Sequence, residues 1–145
     1  MIARILLAAD DSPAALAAAR LCVELAGHCG ASVRTVVVRT GRETEPAGEP
    51  TGDPVLRYVR HLADSTSVPF EGIVVSGSVV PSILEQARAY AADLIVVGRS
   101  DIRGTGRPYV GHHTRHMLEF ADQPVVVVPY TAPCRASCAP DGGGS

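Results

Sequence analysis

The sequence contains no lysine and no tryptophan, and only 4% of its residues are aromatic. All 13 cationic side chains are therefore arginines. The lack of lysine excludes a phosphate loop of the G-x-x-x-x-G-K-[S/T] type, which places an ammonium among its backbone amides. No G-x-G-x-x-G is present either, and Gly104-x-Gly106 precedes Arg107-Pro108 rather than a helical turn. Ser12, Ser76, Ser82 and Ser100 lack the G-x-S-x-G elbow of a serine hydrolase. Dedicated phosphoryl transfer and hydride chemistry are therefore not expected. No apolar run reaches transmembrane length, and a formal charge of −2 offers no basic surface for bulk nucleic-acid binding. Neither a membrane nor a nucleic acid is an expected partner.

Residues 1–9 hold one basic residue in a short apolar run that Asp10-Asp11 cuts off. This reads as a strand and not as a signal peptide, and the expected compartment is the cytoplasm. Four cysteines are present. Cys22 and Cys29 fall in and just after the first predicted helix, and Cys134 and Cys138 lie near the C-terminus. Their spacing does not suit zinc, and all four are expected to be reduced thiols. His112, His113 and His116 form H-H-x-x-H without the glutamate of a zinc hydrolase. They are expected at a solvated or anion-facing helix start, and His28 and His61 on the surface.

What remains is rich in Ala, Val and Leu, and 145 residues suffice for one domain with a sizeable core. Residues 2–9 are apolar on both faces except at Arg4, as in a buried central strand. Asp11 or Ser12, followed by Pro13, signals a helix start. Leu16, Ala19, Leu21, Val23 and Leu25 supply its apolar positions, and Gly27 and Gly30 mark its end. Val33–Val38 is a second strand, residues 40–54 a loop, and residues 55–65 a helix with Val55, Val59 and Leu62 on one face. Residues 70–77 are a third strand and its exit. A helix from Val80 to about Tyr90 turns Ile83, Leu84 and Ala87 inward. Leu94–Val97 is the fourth strand, and residues 112–120 a helix with Met117 and Leu118 inward. Val125–Val128 is a fifth strand between prolines, and residues 131–145 a flexible tail beyond a domain of residues 1–130.

This βαβαβαβαβ order predicts an α/β fold: one doubly wound open sheet of five mainly parallel strands, order 3-2-1-4-5, with helices on both faces. Ligands of such sheets sit beyond the carboxyl ends of the strands, where the strand order reverses. Two loops meet there: Asp10 to Ser12, and Gly98 to Gly111. The second joins a strand to a helix N-terminus through glycines and through Arg99, Arg103 and Arg107. Those are the parts of a phosphate site. The Asp10-Asp11 pair also suits a phosphoacceptor receiver domain. However, Ser76-Gly77 and Pro129-Tyr130 stand where that family needs its aspartate and lysine, and Asp53 has no strand before it.

Three segments, 5–12 (ILLAADDS), 92–98 (ADLIVVG) and 124–128 (PVVVV), resemble the universal stress protein family in order and spacing, over roughly residues 2–129. Ser76-Gly77 followed by Ile83-Leu84 adds to the likeness. Nucleotide-binding members carry G-x2-G-x9-G-[S/T]. Gly98 and Gly111 match it here, while Asp101 and His112 depart from it. The resemblance implies Asp10 near the adenosine end of a nucleotide, Val38 against adenine, and Gly98, Gly111 and the N–H of His112 along the phosphates. Arg99, Arg103, Arg107 and His112 are the phosphate-side candidates, and Asp101 could reach the phosphates through Mg²⁺. The expected function is a stress-related regulatory protein that binds ATP with Mg²⁺ in the strand-1/strand-4 crevice. The resemblance also implies a homodimer through the edge strand Val125, Val126, Val127 and Val128. Alternatives are a nucleotide-free dimeric interaction protein with an unknown protein partner and, third, a slow ATP hydrolase.

Overall fold

The computed structural model describes residues 1–39, 53–99, 101–102, 108–109 and 112–129. Segment 40–52, Arg103, Arg107, Gly111, and the tail with Cys134 and Cys138 lie outside the described residues, as do the side chains of Asp101, His112 and His113.

The elements, in order, are β1 (Arg4–Ala8), α1 (Pro13–Cys29), β2 (Ser32–Arg39), α2 (Pro54–Ser65), β3 (Phe70–Ser76), α3 (Val79–Tyr90), β4 (Leu94–Arg99), β5 (Asp101–Ile102), β6 (Pro108–Tyr109), α4 (His112–Phe120) and β7 (Val125–Pro129). Five strands form one all-parallel sheet ordered β3-β2-β1-β4-β7, as the alternation of elements predicts. The short antiparallel pair β5-β6, with Asp101 opposite Tyr109, was not expected from the sequence.

Side chains alternate cleanly across the sheet. Ile5, Leu7, Val33, Leu94 and Val96 pack on one face with α1 and α2. Leu6, Val36, Ile95 and Val97 pack on the other with α3 and Met117 of α4. Ile5, Leu6 and Leu7 are fully buried, which is why β1 reads as a continuous apolar run.

The start of α1 is built from three neighbouring residues. Ser12 Oγ accepts the Ala15 N–H at 3.1 Å, Asp10 Oδ1 accepts the Ser12 N–H at 2.8 Å, and Pro13 supplies a preset φ. The helix runs through Gly27 and stops at Gly30, which adopts the left-handed φ of 68°. Its buried face is mainly alanine (Ala14, Ala15, Ala18, Ala19, Ala26) with Cys22 and Val23, whereas Leu21 is exposed. Burial pushes the Cys22 thiol up to about 12, while Cys29 is exposed.

Asp53, read from the sequence as part of a loop, caps α2: its Oδ1 accepts the N–H groups of Val55 and Leu56. On α4, Thr114 and Met117 face inward, whereas Leu118 is half exposed. Residues three apart share a helical face, and Leu118 falls a further 100° round from Met117.

At the opposite end of the sheet from the strands' carboxyl termini, Asp93 Oδ2 accepts the N–H groups of Ala3 and Arg4 at 2.8 and 3.0 Å. These two bonds hold its carboxyl below the ordinary carboxylate range. The Arg4 and Arg34 guanidiniums both lie over the Tyr90 ring, and its hydroxyl is 2.8 Å from Ser32 Oγ. This cluster closes the end of the sheet away from the crevice.

Candidate functional site

The strand order reverses between β1 and β4. β1 is followed by β2 on one side, and β4 lies on the other. A cavity of about 340 Å³ opens at the carboxyl ends of these strands, between the sheet and the α3–α4 layer. Its size falls in the range of small-molecule sites. Ala8, Ala9, Asp10 and Ser12 from the end of β1, Val36 and Val38 from β2, and Val97 and Gly98 from β4 form one side. Val79 and Ile83 of α3, with Thr114 and Met117 of α4, form the other. Three predicted site residues, Asp10, Val38 and Gly98, therefore meet in one cavity. Arg99 follows Gly98 on the α3–α4 face of the sheet, one alternation past Val97.

The sequence reading missed most of the apolar wall and Thr114, whose residue is 5% exposed. Its signal was helical spacing: Thr114 and Met117 stand at i and i+3, so a hydroxyl shares the inward face of α4 with a methionine.

Val38 owes its place to the unequal lengths of neighbouring strands. In β2 the even residues turn their backbone groups toward β1. Ser32 N–H donates to Ala3 C=O, and Val36 C=O accepts from Ala9 N–H. The odd residues turn theirs toward β3, as Val33 N–H does to Pro69 C=O and Arg39 C=O does from Gly77 N–H. The last β1–β2 pair is Ala8 with Val36, while β2–β3 pairing continues to Arg39 with Ser76. Val38 therefore presents one N–H and one C=O toward the crevice, past the end of β1. A donor and an acceptor side by side at the rim of an apolar slot can read the edge of a planar heterocycle.

Gly98 has a different cause from the one its motif position implies. A Cβ built there would lie 2.6 Å from the carbonyl carbon and oxygen of Ala14 and 2.8 Å from the nitrogen of Ala15. The glycine lets the first turn of α1 rest on β4, beside the cavity.

Asp10 is the one charged residue among the described residues lining the cavity. Its Oδ1 holds the turn into α1, so Oδ2 is the oxygen left to accept hydroxyl donors. No group of three or more His, Cys, Asp or Glu converges among the described residues. His116 stacks, tilted, 5.4 Å from Phe120 on the other side of α4. No helix of the described residues is long and apolar enough to cross a membrane.

No curated protein matches the sequence. Solved structures do. The hypothetical protein MJ0577 is 19% identical, with a TM-score of 0.77 over 91% of this chain and 99% of its own. A universal stress protein from Archaeoglobus fulgidus in complex with dAMP is 22% identical, with a TM-score of 0.69 over 88% of this chain and 99% of its own. A family protein from Arabidopsis thaliana with AMP bound is 15% identical, with a TM-score of 0.66 over 94% of this chain and 98% of its own. These likenesses confirm the fold. The model of the universal stress protein family matches residues 1–129, and the chain belongs to that family.

Proposed function

We propose that this chain is a stress-related regulatory protein that binds an adenine nucleotide in the β1/β4 cavity. The observation that carries the reading is the open backbone edge of Val38 at the rim of an apolar slot. Adenine offers N1 as acceptor and the 6-amino group as donor, the complement of a backbone N–H and C=O. Val36, Val79, Ile83, Val97 and Met117 would cover the base, Asp10 Oδ2 would accept from ribose hydroxyls, and Thr114 would face the sugar. The bound AMP and dAMP of two structural relatives support this reading.

In the fuller form of the reading the ligand is ATP with Mg²⁺. Its phosphates run toward Arg99 and the start of α4, where Arg103, Arg107, Gly111 and His112 follow in sequence. In this form the ion arrives with the nucleotide, and Asp101 is the candidate protein ligand. The proposed assembly is a homodimer, because among the described residues β7 pairs only with β4 and leaves an edge of four valines, and the proposed compartment is the cytoplasm.

The test is to denature the purified protein, analyse released small molecules by mass spectrometry, and titrate the ligand-free protein with Mg-ATP in a calorimeter. Adenine nucleotide in the extract, or saturable heat, is expected. No nucleotide and no heat at millimolar Mg-ATP would refute the reading.

A second reading, a nucleotide-free dimeric interaction protein, has one observation in its favour. Packing against Ala14 and Ala15 fully accounts for Gly98, one of the two motif glycines retained.

A further inference from the structure

We propose that Arg39 and Asp53 are positioning residues for base recognition, holding the overhanging end of β2 so that Val38 meets the base in register. The inference rests on the adenine reading above.

Beyond Val36, β2 has lost β1 on one side and, among the described strands, pairs with β3 alone. A strand end with one free edge can move away from its ligand. Arg39 is the next residue after Val38, and its side chain projects to the opposite face. There Arg39 Nη2 lies 2.9 Å from Asp53 Oδ2. Asp53 is a firm anchor. It is 6% exposed, and its other oxygen takes the N–H groups of Val55 and Leu56 at the head of α2. α2 in turn is fixed to the sheet by Leu56, which is 2% exposed, and by Val59 and Ala63, which are fully buried. Removal of the guanidinium strands a carboxylate in a dry site, which the protein relieves by movement of the strand end or of the cap. Either movement shifts the Val38 edge, because the two residues are adjacent in one strand.

The consequence is specific to the base. Adenosine and inosine monophosphates share sugar and phosphate but present opposite donor–acceptor patterns at N1 and C6. A fixed N–H and C=O accept the first and leave unpaired groups against the second. The wild type should prefer AMP by about 10- to 100-fold. A displaced edge should lose that preference, while affinity for the shared ribose phosphate changes little.

The experiment is calorimetric titration of AMP and IMP into wild type, Arg39→Lys, Arg39→Met and the Arg39→Met/Asp53→Asn double variant. The double variant carries no lone buried carboxylate, so it folds even where Arg39→Met does not, and circular dichroism checks this. Arg39→Lys, which keeps the charge, is expected to retain most of the preference. The double variant is expected to bind both nucleotides within about threefold of each other. A folded double variant with the wild-type AMP/IMP ratio would overturn the positioning role while leaving the adenine reading intact. Failure of the wild type to bind either nucleotide would overturn both.

Discussion

Replacement of Gly98 by alanine separates two explanations of the same residue. As a motif glycine it serves a ligand, and the substitution would weaken binding without disturbing the fold. In the structure its missing Cβ is required by α1: the added carbon falls 2.6 Å from Ala14 C and O and 2.8 Å from Ala15 N. Ordinary carbon contacts are about 3.5–4.0 Å, so roughly 1 Å of separation has to be found. The neighbours are backbone atoms of a helix start, so no side chain can rotate away. The relief is a shift of the first turn of α1, which carries Ala14 and Ala15, buried at 2% and 4% exposure. Overpacking of this kind costs about 1–3 kcal/mol, and here the upper end applies. The reduced entropy of the unfolded chain returns about 0.4–1 kcal/mol. A net loss of about 2 kcal/mol corresponds to a Tm lowered by about 8 °C for a chain of this size. Thermal and urea unfolding of ligand-free Gly98→Ala measure it directly, with an unchanged m-value expected. A Tm within about 1 °C of wild type would refute the packing argument. It also follows that weaker nucleotide binding by this variant says nothing about phosphate contacts, because Ala15 and Ser12 line the cavity and move with the helix.

Four further outcomes are expected. Thr35 is fully buried on β2 and its Oγ1 has no hydrogen-bond partner among the described residues, so the isosteric Thr35→Val should raise stability by up to about 1 kcal/mol; a loss in urea unfolding would contradict this. Because Asp93 has its pKa lowered by two backbone N–H groups, its contribution is full above the unfolded carboxylate value and is lost as pH falls through the folded one. The stability gap between wild type and Asp93→Leu should therefore close on acidification below about pH 4, and a gap constant from pH 7 to pH 3 would contradict it. In β7 the even positions turn toward β4, since Ile95 N–H donates to Pro124 C=O; Val127→Pro thus removes an outward N–H and spares the sheet. It should convert the proposed homodimer to a monomer in sedimentation equilibrium, and an unchanged dimer would place the interface elsewhere. Finally, alkylation with mass mapping at pH 8 should label exposed Cys29 and leave Cys22 unmodified until unfolding; rapid labelling of Cys22 in the folded protein would show that α1 opens.

The sheet order was legible because alternating elements and right-handed crossovers leave few arrangements of five short strands, and because residues 5–7 and 94–97 are apolar on both faces. Asp10 and Gly98 stand out for the same reason, as strand ends at a switch point, whereas Val38 is named only by the family resemblance. Their causes were not legible. That Val38 presents its backbone depends on β1 stopping three residues short of the end of β2, a matter of register between distant segments. That Gly98 serves α1 depends on how closely an alanine-faced helix approaches the sheet. The cap at Asp53 carries a local signal, since Asp53-Pro54 repeats the cap-and-proline pattern of Ser12-Pro13, whereas its ion pair with Arg39, 14 residues away, forms only in the folded chain. Leu118, expected inward with Met117, is exposed because the inner face of α4 is set by Thr114 and Met117.

The central claim is that the Val38 backbone edge contacts the base of a bound adenine nucleotide. Amide hydrogen exchange at Val38, read by NMR with and without saturating AMP, tests it most directly. The account predicts an exposed, exchanging Val38 N–H in the free protein that becomes strongly protected and shifted when AMP binds. Saturable binding of AMP with no change at Val38 would contradict it.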